Sequence, residues 1–155
     1  MEKQTSFEIN HEKLYPGLYV SQKQKSKDVT ITIFDLRFCR PNIEPAIDLA
    51  PLHTIEHLGI QWFKNCLIKE QIIYFGPLGS RTGFCLITFG DVDSNYIFPY
   101  VKSMLNYIVE YNGVIPKATS KECGNYLEQN LPMAKYYVKK YIYELNNYKR
   151  FLYEK

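Results

Sequence analysis

His53, Glu56 and His57 stand in an H-x-x-E-H order, two imidazoles four residues apart with a carboxylate between them. On a helix, positions i, i+3 and i+4 share one face. Both rings could then grip one metal ion from consecutive turns, with Glu56 beside it as a base. The plainer reading is a helix that carries two histidines by chance, since five-residue patterns recur at random. Against it, the chain has only three histidines, and two fall within this pentapeptide. A catalytic metal usually has three protein ligands and one open position. Cys123 is the favoured third ligand, because it lies in a turn before Gly124, where backbone and ligand can approach closely; Cys39, Cys66 and Cys85 compete on residue type alone. Cys85 falls in a strand and Cys66 at the helix end, away from the histidine face. Both read more simply as small buried hydrophobes.

The helix that must carry the histidines is legible in the residues around them. Asp48 can cap it, Pro51 suits its first turn, and apolar residues continue through Trp62 and Phe63. Its wheel puts His53, Glu56, His57, Ile60 and Lys64 on one side and Leu52, Ile55, Gly59, Trp62 and Phe63 on the buried one. Strands are predicted at 7–9, at 29–38, which is dense in β-branched and aromatic residues, and at 71–75 and 83–89. The Gly76-Pro77-Leu78-Gly79 break makes the last two an antiparallel hairpin. Alternation places Asp35 and Arg37 on the face of Ile31 and Ile33, so those charges need partners or belong to a site. The Lys-rich stretch 22–27 reads as a solvated loop. A helix capped by Ser94 should run to about Tyr111, with Pro99 awkward near its start and Asn112-Gly113 ending it. Residues 117–124 are turn-rich, and Asn130 to Pro132 open a last, tyrosine-rich helix. The expected fold is α+β: one domain over residues 1–155, a two-layer sandwich of an antiparallel sheet packed on helices.

Composition removes several function classes. A formal net charge of +3 without a basic cluster interleaved with aromatics does not argue for nucleic acid. No apolar run reaches the length of a membrane span, and the first residues carry no signal-peptide pattern. Four cysteines without framework spacing are expected as thiols, in a cytoplasmic protein.

Five stretches taken together resemble the S-ribosylhomocysteine lyase (LuxS) family. They are Ser6-Phe7-Glu8-Ile9-Asn10-His11, the run from Phe34 to Asn42, His53 to Leu58, Gly76 to Phe84, and Glu122-Cys123-Gly124, in the family's order and spacing. The resemblance implies ferrous iron held by His53, His57 and Cys123, with zinc or cobalt possible as purified. It implies a homodimer with its sites at the interface, and substrate contacts from Ser6, His11, Arg37 and Lys64. The family's reaction splits S-ribosylhomocysteine into homocysteine and 4,5-dihydroxy-2,3-pentanedione, the precursor of a quorum-sensing autoinducer, using two bases. Glu56 is one. The other, in active members, is a cysteine at the position where this chain has Ser80. Tyr74 is a milder departure, where many relatives carry aspartate. A thiol ionises near pH ~8.5, whereas a serine hydroxyl needs its own base, so Ser80 should impair turnover. Two alternatives follow: a metal- and substrate-binding homologue without activity, and a zinc peptidase of the H-x-x-E-H type.

Overall fold

The computed structural model describes residues 9–154. Four strands, β1 (Gly17–Ser26), β2 (Val29–Arg37), β3 (Ile72–Pro77) and β4 (Gly83–Phe89), form one antiparallel sheet in the order β1-β2-β4-β3. Three helices follow the chain as α1 (Leu49–Phe63), α2 (Ser94–Glu110) and α3 (Leu131–Tyr148). The architecture is the expected α+β, with helices against an antiparallel sheet. Period-two alternation sends Leu18, Phe34, Leu36, Phe75, Phe84 and Leu86 into one core with Ile55, Leu58, Val101, Leu105, Val138 and Leu145 of the helices. The opposite face carries Tyr19, Ile33, Asp35, Arg37, Cys85 and Ile87.

Strand β1 corrects the reading of residues 22–27 as a loop. A bulge between Val20 and Gln22 breaks the alternation that would have announced a strand. Beyond it the residues are polar because β1 is an edge, where lysines discourage further pairing. Of the expected 7–9 strand, Phe7 and Glu8 lie outside the described residues, and Ile9 sits in a bend. Strand β3 starts one residue later than expected and runs to Pro77.

Helix α1 begins after Asp48 as expected, although the Asp48 side chain makes no capping bond. Its buried face is wider than the wheel suggested, including Thr54 and Leu58, while Trp62 is only half-buried. Gly59 lets α1 close on β3: a Cβ there would lie 2.3 Å from the Phe75 ring. On α2 the cap is Asp93, which accepts from the Tyr96 N–H at 2.9 Å. Ser94 is instead the first helical residue, and its hydroxyl donates to the Leu18 carbonyl at 2.8 Å. On α3, Asn130 caps by accepting from the Met133 N–H.

Candidate active site

Helix α1 presents His53 and His57 one turn apart, and the turn-rich segment before α3 brings Cys123 to them. The two Nε2 atoms are 3.0 Å apart, and Cys123 Sγ lies 3.4 Å from that of His53 and 3.5 Å from that of His57. Their outer nitrogens are also held. His53 Nδ1 donates to the Glu128 carbonyl at 3.0 Å and His57 Nδ1 to the Pro116 carbonyl at 2.8 Å. A carbonyl can only accept, so each Nδ1 keeps the proton and each Nε2 turns a lone pair inward. The more distant Gln129 amide nitrogen, 3.4 Å from His53 Nδ1, has no lone pair left to receive it. Two lone pairs and a sulfur converging on one point suit a cation. These three residues are the one His/Cys/Asp/Glu group among the described residues with metal-binding spacing, all ligand atoms lying within 4.8 Å of one another.

The local sequence builds this geometry through Thr54. Its buried hydroxyl donates to Gln129 Oε1 at 2.6 Å and accepts from the Asn130 N–H at 2.9 Å. That fastens the start of α3, and with it the Glu128 carbonyl, to the helix bearing His53. Neither carbonyl could be found from sequence, since backbone acceptors carry no residue signature. The proposed reason for Gly124 does not hold: a Cβ there meets nothing within 4 Å, so no close approach requires glycine. Cys123 is placed instead by its own N–H, which donates to the Thr119 carbonyl at 2.9 Å.

Residues 4–151 match the sequence profile of S-ribosylhomocysteinase (LuxS). The chain belongs to that family. It is 49% identical over 148 residues to the S-ribosylhomocysteine lyase of Clostridium acetobutylicum, covering 95% of this chain and 94% of that one. The lyase of Borreliella burgdorferi is 50% identical over 150 residues, 96% of each chain. That of Finegoldia magna is 47% identical over 150 residues, 97% of this chain and 96% of its own.

Within this LuxS chain, Glu56 opens onto a cleft of about 280 Å³ between α1 and β3, shared with Ile60, Lys64, Lys69, Tyr74 and Phe75. Glu56 has no hydrogen-bond partner among the described residues, so both carboxylate oxygens are available to a ligand. Burial, then the neighbouring Glu56 and Cys85, raises the Tyr74 phenol above its ordinary range, which leaves it a proton donor. Lys64 follows the last turn of α1 and is exposed. His11 opens a 3-10 turn, with Nδ1 on the Ile9 carbonyl at 2.8 Å. Ser6 lies outside the described residues.

Ser80 sits in the tight loop between β3 and β4, exposed, its Oγ 2.9 Å from Thr82 Oγ1. Arg81 takes a left-handed backbone, φ 58°, to close that loop. Thr82 Oγ1 accepts from Arg37 Nη1 at 2.7 Å, and Arg37 Nη2 donates to Asp35 Oδ2 at 2.9 Å. The charges predicted to need partners have therefore found each other, and both are buried. Arg37 meets the loop after β3 rather than the metal ligands. Asp35 Oδ1 and Arg37 Nε remain without partners, each costing about 1–3 kcal/mol when buried. The remaining cysteines are free thiols. Burial, then the nearby Asp35, pushes the Cys85 thiol up to about 11, and burial, then Glu44, does the same to Cys39.

Proposed function

We propose that this chain is an S-ribosylhomocysteine lyase whose metal site and first base are intact and whose second base is disabled by Ser80. The observation that carries the reading is the convergence of two carbonyl-held imidazoles and a thiol beside an unpartnered Glu56. Family membership supports it, and it sets the zinc-peptidase alternative aside.

His53, His57 and Cys123 would hold the metal, ferrous iron by the family resemblance; imidazole and thiolate suit zinc and cobalt as well. When bound, such an ion supplies Lewis acidity toward the sugar's oxygens, which acidifies neighbouring C–H bonds. Glu56 then takes a carbon-bound proton and returns it one carbon along, moving the carbonyl down the chain. Lys64 on the same cleft holds the amino-acid carboxylate, with Ser6, His11 and Arg37 assigned to the rest of the substrate. Homocysteine leaves by β-elimination once a base on the other side removes the last proton. At position 80 a hydroxyl bonded only to Thr82 has no group able to deprotonate it, so this step is slow. The same observation favours the second reading, a homologue that binds metal and substrate without turnover.

The reading includes a cytoplasmic homodimer. Exposed Val29, Tyr74 and Phe89 flank half-buried Ile31, Ile33 and Ile87 on the sheet face away from the helices, an apolar patch suited to a second copy. The test is titration calorimetry of metal-loaded protein with S-ribosylhomocysteine. Binding that disappears with the metal in Cys123→Ala is expected. Metal content unchanged in that variant would rule out Cys123 as a ligand.

A further inference from the structure

We infer that Tyr153 is a positioning residue for position 80, acting through Asp35, Arg37 and Thr82. The inference rests on position 80 being the second-base site, and it adds a residue beyond the segment that matches the family, which ends at residue 151.

The Tyr153 hydroxyl donates to Asp35 Oδ2 at 2.8 Å, the same oxygen that accepts from Arg37 Nη2. Its ring stacks on Tyr19, centroids 4.4 Å apart, and the chain leading to it is fastened where the Leu18 N–H donates to the Arg150 carbonyl at 2.9 Å. Asp35 and Arg37 stand two residues apart on one sheet face and could form a two-point pair, Nε to one oxygen and Nη2 to the other. They do not. Asp35 Oδ1 and Arg37 Nε are both buried without partners, and the pair meets through Nη2 and Oδ2 alone. That single contact leaves Nη1 turned to Thr82, whose hydroxyl meets Ser80 Oγ. An orphaned atom on each partner means the one-point arrangement is held from outside, and Tyr153 is the group holding it. By donating to Asp35, the phenol also offsets part of the carboxylate charge, so more of the guanidinium field reaches Thr82 and position 80.

The other titratable groups around this network are Tyr19 on β1, Cys85 on β4, Tyr141 on α3, and Arg150 and Glu154 beside Tyr153. Arg81, next to Ser80, points its guanidinium at the Ile47 carbonyl, 3.2 Å away. None of these stands between Tyr153 and Ser80 in the hydrogen-bonded chain.

The test uses the thiol introduced by Ser80→Cys as a reporter. Its alkylation rate by iodoacetamide is followed against pH, with peptide mass spectrometry separating it from the native cysteines. Adding Tyr153→Phe keeps the ring on Tyr19 and removes only the hydroxyl. The expected result is a midpoint raised by about half a unit to one unit, and alkylation at neutral pH slowed about three- to tenfold. Thr82→Val cuts the same relay nearer the thiol. It should raise the midpoint too, and Tyr153→Phe on top of it should add nothing, whereas a merely structural role would add its own increment. If Tyr153→Phe destabilises the fold, the double variant still decides, because only the relay predicts non-additivity. A profile for Ser80→Cys/Tyr153→Phe superimposable on that of Ser80→Cys overturns the inference. Failure of the lyase reading would show separately, as absence of homocysteine release with the thiol titration intact.

Discussion

One atom separates a thiol from the hydroxyl at position 80, and the surroundings decide whether that matters. Ser80 Oγ touches Thr82 Oγ1, which touches a guanidinium, so its environment favours an anion but contains no base to create one. Cys85 does not replace it. Its thiol sits on β4 opposite Asp35, and burial, then that carboxylate, raises it to about 11, so it is neutral throughout the physiological range. Alkylation of the unmodified native protein at pH 8 should therefore leave Cys85 largely untouched while the urea-unfolded chain reacts readily. Equal rates in the two states would contradict this. The histidine pair was legible from residue type and spacing, whereas Cys123 was one of four candidate thiols and was favoured for a glycine turn that the structure does not require. Thr54, Thr82 and the carbonyls of Pro116 and Glu128 were not legible, because a threonine or a backbone oxygen has a role only through the partner the fold brings to it.

At the scale of elements, the centre depends on α1 and the start of α3 being locked together. Thr54 does this with two hydrogen bonds from a fully buried position. Thr54→Val keeps the shape but leaves the Asn130 N–H and the Gln129 side-chain amide oxygen without the Thr54 hydroxyl, at a cost of about 1–3 kcal/mol. It should lower the urea midpoint. It should also weaken metal binding about tenfold by loosening the Glu128 carbonyl behind His53, with all three ligands still present. Chelator competition measures this; unchanged affinity alongside lost stability would show that Thr54 serves packing alone. The helices, β2 and β4 were readable because their apolar periods are unbroken, and β3, despite its bulge between Ile72 and Tyr74, because the Gly76 to Gly79 break marks a hairpin. Strand β1 was hidden by its bulge and by edge lysines, which resemble a loop. The cap of α2 was displaced by one residue because Asp93 and Ser94 are both good caps, and only the Leu18 carbonyl decides which side chain is free.

For the whole molecule, no helix among the described residues is long and apolar enough to cross a membrane. The apolar outer face of the sheet leads us to expect a dimer. Sedimentation at micromolar concentration should give twice the chain mass, and Ile33→Lys, which places a charge beside Ile87, should dissociate it. A monomeric native protein would refute the homodimer part of the proposal. The most direct test of the account is homocysteine release from S-ribosylhomocysteine, measured on the native protein and on Ser80→Cys with metal content matched. A general base is typically worth about a hundred- to ten-thousand-fold, so Ser80→Cys should release homocysteine at least about a hundredfold faster. If the native protein already turns over at the rate of Ser80→Cys, another residue supplies the base and the role assigned to position 80 is wrong.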